Sequence, residues 1–200
     1  MIAIIDYDAG NIMSVTKAFE YLGEKPVLTR NKETLLKADK VILPGVGSFG
    51  VAMDNLNKYD LVPVIREIYE SGKPLLGICL GLQLLFEGSE ESFGVPGLGF
   101  LPGVIRHFPE SDMKIPHMGW NSLKLSGDGR LFKGLSDEEY VYFVHTYYLD
   151  SANRDIVKAT TDYILEFDAS IEKGNLFAFQ FHPEKSGRTG LKILKNFIDL

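Results

Sequence analysis

Thiols, imidazoles and basic charge are scarce in this sequence. Cys79 is the only cysteine, so no internal disulfide can form and a reducing compartment is expected. The four histidines are scattered, with no set of thiols or imidazoles at zinc spacing, so neither a metal nor another cofactor is expected. Basic side chains number 21 against 27 acidic ones, for a net charge of -6, and no basic run forms a stripe that could track phosphates. Nucleic acid is therefore not an expected partner. No apolar run approaches the roughly 20 residues that span a bilayer. The opening Met1-Ile-Ala-Ile-Ile-Asp6 lacks a basic lead and reaches acid too soon for a secretion signal. A cytoplasmic protein without membrane association is expected. Internal repeats and low-complexity linkers are also missing; the sharpest shift in composition is the Gly/Ser/Glu-rich stretch 88–99.

What is present is apolar side chain in two alternating periods. With 200 residues and 45% hydrophobic content, the chain can bury one sizeable core, and one domain spanning 1–200 is expected. Residues 2–5 read as a buried strand, and Ile12, Val15, Phe19 and Leu22 then recur at helical spacing after the turn-forming residues 8–11. Residues 26–29 and 41–43 read as further strands. Leu61, Val64, Ile65, Ile68 and Tyr69 trace one helix face before a strand at 75–78. Strands alternating with helices predict an α/β fold with an open, mostly parallel, doubly wound sheet and helices on both faces. Beyond Phe100 the stretches 102–108, 121–125, 141–148, 156–161 and 164–171 suggest additional antiparallel strands. A last helix is predicted to bury Ile193, Phe197 and Leu200.

Three motifs carry chemistry. In Lys73-Pro-Leu-Leu-Gly-Ile-Cys-Leu-Gly-Leu-Gln-Leu-Leu-Phe86, a short apolar strand breaks at glycine and resumes with helical spacing. A lone cysteine is most often a small buried hydrophobe. Here, however, Gly77 and Gly81 stand two residues either side of it, the spacing of a nucleophile elbow. Such a corner aims a side chain out of the sheet edge, and the helix N-terminus behind it favours thiolate. The second motif is Leu176-Phe-Ala-Phe-Gln-Phe181, a strand running into His182-Pro-Glu-Lys-Ser186. In extended chain, side chains two apart point the same way, so Glu184 is expected beside His182, fixing the imidazole tautomer. A satisfied surface histidine is the plainer account of that motif alone. Together with the cysteine, it supplies nucleophile, base and orienting carboxylate. The third motif, Val41-Ile-Leu-Pro-Gly-Val-Gly47, ends a strand in a glycine-flanked turn. Attack by sulfur on a carbonyl creates an oxyanion, and the N–H groups of Leu80 and of the Gly45-Val46-Gly47 turn, at Val46 or Gly47, are its candidate donors.

These motifs, in this order over essentially the whole length, resemble the class I (triad) glutamine amidotransferases. More narrowly, Leu84-Leu-Phe-Glu-Gly-Ser-Glu-Glu91, Pro116-His-Met-Gly-Trp-Asn121 and Tyr142-Phe-Val-His-Thr-Tyr147 are similar to the glutaminase subunits of imidazole glycerol phosphate synthases. Leu82 stands where methionine is commoner in the family. The resemblance implies hydrolysis of glutamine to glutamate and ammonia, with Cys79 as nucleophile, His182 as proton carrier and Glu184 as its orienter. It further implies substrate contacts at Gly45, Gln83 and the strip His145, Thr146 and Tyr147, the last expected through backbone groups. The implied partner is a (β/α)₈-barrel cyclase subunit, docked in a heterodimer through Asn11, Met118, Trp120, Tyr142 and Lys185. Two rival classes stay open: a thiol peptidase with the same elbow, which would turn over peptides, and a noncatalytic binding module, which would be expected to lack one of Cys79, His182 or Glu184.

Overall fold

A computed structural model of the chain describes residues 1–136 and 138–200. β1 (Ile2–Ile5) leads through α1 (Ile12–Tyr21), β2 (Val27–Thr29) and α2 (Lys32–Lys37) to β3 (Lys40–Leu43). The helices α3 (Phe49–Lys58) and α4 (Leu61–Glu70) follow, then β4 (Leu75–Ile78) and the short α5 (Leu80–Leu84). A strand-rich stretch comes next: β5 (Gly88–Ser89), β6 (Gly103–His107), β7 (His117–Ser122), β8 (Lys124–Leu125), β9 (Tyr140–His145), β10 (Tyr147–Ser151), β11 (Val157–Tyr163) and β12 (Leu165–Lys173). β13 (Leu176–Phe179) and α6 (Gly187–Ile198) come last.

Among the described residues the main sheet runs β2-β1-β3-β4-β13-β12-β10-β6-β5, with β11 and β8 paired off β12. The first five of these strands are parallel to one another; β12, β10 and β6 continue antiparallel. β7 and β9 form a separate antiparallel ribbon.

The period of two divides the interior strands between two apolar layers. Ala3, Ile5, Val41, Leu43, Leu75, Leu176 and Ala178 pack with α2, α3 and α4 on one face. Ile2, Ile4, Ile42, Leu76, Ile78, Phe177 and Phe179 pack with α1 and α6 on the other. The helices supply matching stripes: Ile12, Val15, Ala18 and Phe19 on α1, and Ile193, Leu194 and Phe197 on α6, are buried. Fully burying one such side chain contributes about 1.5–3 kcal/mol. No helix among the described residues is long and apolar enough to cross a membrane.

The fold class matches the expectation, and the differences lie in element boundaries. The run 141–148 is two strands, not one: β9 ends at His145, and after Thr146 the chain enters β10 in the main sheet. The stretch 121–125 is the tail of β7, which begins earlier at His117, plus the two-residue β8. Ile156 ends a 3₁₀ turn, so β11 starts one residue later and extends to Tyr163. Leu200 lies beyond α6 and is 43% exposed. Helices α2 and α3 were not expected, although Phe49, Ala52, Met53 and Leu56 carry the α3 spacing.

Candidate active site

β4 and β13 are parallel neighbours with Ile78 opposite Phe179, so the residues immediately after each strand leave the sheet at one edge. The Cys79 N–H donates to the Phe179 carbonyl at 2.7 Å, as a last rung between them. The chain then turns sharply. Cys79 holds φ 54 and ψ -107, a conformation that costs a residue bearing Cβ of order 1–3 kcal/mol. Backbone packs on backbone around it. A Cβ on Gly77 would stand 2.8 Å from the Gly81 carbonyl oxygen, and one on Gly81 would overlap the Leu43 carbonyl of β3. Because α5 has only five residues, its dipole contributes less to the sulfur than a full-length helix would.

His182 is held from both sides of its backbone. Its N–H donates to Tyr142 O at 2.9 Å, and its carbonyl accepts from the Ser186 hydroxyl at 2.6 Å, which itself accepts the Tyr142 N–H at 2.9 Å. The ring Nδ1 lies 2.8 Å from Glu184 Oε1, and both side chains are essentially inaccessible, at 1% and 0% exposure. The route to that pairing differs from the extended alternation expected. His182 is extended, with φ -99 and ψ 95, but Pro183–Lys185 is a 3₁₀ turn that folds Glu184 back onto the ring. Asn11 donates its Nδ2 to the same Glu184 oxygen at 2.9 Å. Nδ1 is thus the protonated nitrogen facing the carboxylate, and Nε2 is buried without a hydrogen-bond partner in the wall shared with Cys79. Burial disfavours charge on this ring. The neighbouring Cys79 sulfur and Glu184 carboxylate outweigh it, and the His182 pKa is pushed up to about 10.

Cys79 and His182 open onto a cavity of about 270 Å³. Val46, Gly47 and Leu80 form one wall; Gln83, His145, Thr146 and Tyr147 form another. Larger hollows exist, such as one of about 560 Å³ beside Met113 and Met118, but it contains neither the thiol nor the charged imidazole. Gly45 does not line the cavity. Its carbonyl instead accepts the Leu80 N–H at 3.3 Å, so one of the two expected oxyanion donors is engaged and the hole is not assembled in this conformation.

Gln83 is buried. Its Nε2 donates to Tyr147 O at 3.2 Å and to Gln180 Oε1 at 3.1 Å, which uses both amide hydrogens and leaves Oε1 for a ligand. The backbone contacts expected of the His145–Tyr147 strip are limited by these bonds. Tyr147 O takes both Gln83 and the His145 Nδ1 at 2.9 Å, and Thr146 O takes the Phe108 N–H at 3.3 Å. Behind this wall His145 Nε2 accepts from His117 Nδ1 at 2.9 Å, and Asn121 Nδ2 lies 3.3 Å from His117 Nε2. Burial pushes both rings down, His145 to about 3 and His117 to about 4, so both are neutral near pH 7.

The alternation along the small ribbon sends its other face outward. Met118 and Trp120 are 62% and 55% exposed, Trp120 sits edge-on to half-buried Tyr142, and the exposed Lys185 ammonium lies 5.9 Å from the Tyr142 ring centre. Asn11, the fifth residue of this set, turns its side chain inward to Glu184 instead. Sequence reasoning missed Gln180, Ser186 and the His117–His145 pair. The clearest signal was Gln180, the one polar residue inside the apolar run 176–181.

A strained thiol elbow beside an imidazole locked by a buried carboxylate is a site for attack on a carbonyl. Its family follows: the Glutamine amidotransferase class-I model matches residues 3–200, and the chain belongs to that family. Solved structures agree on the fold, among them a glutamine amidotransferase with TM-score 0.78 at 18% identity, covering 100% of this chain and 98% of that one. Another is PurLQS from Thermotoga maritima, with TM-score 0.76 at 19% identity and coverage of 99% and 97%. Within the family, the chain is 54% identical to the imidazole glycerol phosphate synthase subunit HisH of Bacillus cereus over 197 residues, 98% of this chain and 93% of the relative. It is 53% identical to the HisH subunit of Bacillus anthracis over the same shares. It is a glutaminase subunit of this synthase type, an enzyme of histidine biosynthesis that hydrolyses glutamine, and its subunit character implies a partner.

Proposed function

We propose that Cys79, His182 and Glu184 are the triad of this glutaminase, that residues 1–200 act as one amidotransferase domain in the cytoplasm, and that the ammonia passes to a (β/α)₈-barrel cyclase subunit in a heterodimer. The convergence of Cys79, His182 and Gln83 on one cavity supports this reading most directly. Cys79 Sγ attacks the side-chain amide carbon of glutamine. His182 gives its Nε2 proton to the departing nitrogen, which leaves as ammonia and a glutamyl thioester. Water then loses a proton to His182 and attacks the thioester, and the sulfur departs from glutamate. The free Oε1 of Gln83 suits the substrate's α-ammonium. Exposed Met118, Trp120 and Lys185, with half-buried Tyr142 between them, make the face offered to the cyclase, large aromatics with one polar end being frequent interface anchors.

The raised His182 value sets the pH range. The folded-state pKa stands above the unfolded 6.5, so the pairing contributes stability that is complete below about pH 6.5 and lost as pH rises through about 10. The proton needed by the leaving group disappears over the same upper range. Glu184→Gln removes one of the charges holding that proton, and the alkaline fall of kcat is expected about one unit lower or more. A kcat profile of the variant superimposing on that of the parent would exclude this role for Glu184.

The decisive experiment is co-purification with candidate barrel cyclases, followed by a glutamine-dependent assay of imidazole glycerol phosphate formation. A complex that makes product from glutamine supports the assignment. A complex active only with added ammonia, although Cys79 is intact, would overturn it.

A further inference from the structure

Gln180 is the least expected group near the sulfur. It is 0% exposed and lies between Phe179 and Phe181, whose rings stack at 4.8 Å. A carboxamide placed in such surroundings is destabilising unless its hydrogen bonds are made. Both ends of this one are engaged: Nε2 points at Cys79 Sγ at 3.7 Å, and Oε1 accepts from Gln83 Nε2 at 3.1 Å. The sense of the chain of bonds is determined. Tyr147 O can only accept, so Gln83 must present its nitrogen, and that nitrogen can meet only the oxygen of Gln180. The Gln180 N–H groups are thereby turned toward the sulfur.

We propose that Gln180 is a further residue of the catalytic machinery, its amide holding the Cys79 sulfur in place and stabilising negative charge on it. The proposal rests on Cys79 being the nucleophile. A donor aimed at sulfur favours the anion before attack and again when sulfur departs from the thioester; when sulfur is bound to carbon and uncharged, the bond is weaker. Gln83 reaches the same amide from the substrate side. Seating of the substrate against Gln83 therefore bears on the nucleophile through one intervening side chain, over a path anchored at the Tyr147 carbonyl.

Two variants test this in the complex with the cyclase. Gln180→Met keeps approximate length without a donor; Gln180→Glu keeps shape and an acceptor for Gln83 but sets an acceptor against sulfur. The readouts are glutamine-dependent kcat and KM, ammonia-driven synthesis, and the pH dependence of Cys79 alkylation by iodoacetamide. The expected result is a kcat lower by about 10–100-fold, the loss anticipated for a hydrogen bond to a charged group. KM in Gln180→Glu, which keeps the acceptor for Gln83, and ammonia-driven synthesis in both variants should be little changed, and alkylation should shift to higher pH, further in Gln180→Glu. Parent-like kcat and alkylation in either folded variant would overturn the proposal, as would loss of ammonia-driven synthesis in both, which marks a core residue only. A parent protein alkylated at Cys79 yet unable to hydrolyse glutamine would instead overturn the functional reading, with the alkylation comparison still deciding on Gln180.

Discussion

Replacement of Cys79 by alanine is expected to abolish glutamine hydrolysis while ammonia-driven synthesis by the complex with the partner subunit continues at the parent rate. The expected loss is on the order of 10⁶ in kcat, the scale seen when a triad hydrolase loses its nucleophile. No second cysteine exists to substitute. The fold should tolerate the change, because alanine at φ 54 carries the same backbone strain that cysteine already bears and deletes one atom from a site that is 7% exposed. Its structural cost is the lost partner of the Gln180 amide, about 1–3 kcal/mol. Parallel assays with glutamine and with ammonium salt separate the two effects. If both activities vanish in a protein that still binds its partner, the assignment of Cys79 is wrong.

The second large effect is stimulation by the loaded partner. The Gly45 carbonyl occupies the Leu80 N–H, and the peptide that bears this carbonyl carries the Val46 N–H on its opposite side. Rotation of that single peptide by about half a turn would release Leu80 and bring Val46 N–H toward the cavity, supplying two oxyanion donors together. A turn rich in glycine resists such a rotation little. One absent donor typically lowers kcat by about 10²–10³-fold. The isolated chain is therefore expected to hydrolyse glutamine weakly, and to gain at least that factor when the partner subunit docks with its own substrate bound. Steady-state kcat measured with and without the loaded partner subunit checks this, and equal turnover in the two states rules it out.

The parts of the site visible beforehand were those written in local spacing. Gly77, Cys79 and Gly81 announce an elbow because the turn itself needs small neighbours, and the backbone overlap a Cβ on Gly81 would make with Leu43 supplies the reason. The uninterrupted apolar runs of β1, β3 and β4 announced buried parallel strands for a similarly local reason. Pairings between distant residues were not visible. Nothing local to Asn11 indicates that its amide meets Glu184, 173 residues later, nor does anything near Gln83 indicate Gln180 as its neighbour. Glu184 was placed correctly beside His182 for an incomplete reason, since period-two alternation and a 3₁₀ turn both bring the two side chains together. The break at Thr146 was hidden because aromatic and β-branched residues run on across it from Tyr140 to Tyr148, and only the partners of β9 and β10 in two different sheets divide them.

β13 occupies a central place in the main sheet, between β4 and β12, although twelve strands precede it among the described residues. During ribosomal synthesis the elbow thus emerges long before the proposed base, His182, and the slot beside β4 stays vacant until β13 arrives. Pairings this distant close slowly. A nascent or prematurely ended polypeptide consequently exposes a sulfur with no imidazole beside it, and competence to spend cellular glutamine arises only once the sheet is whole.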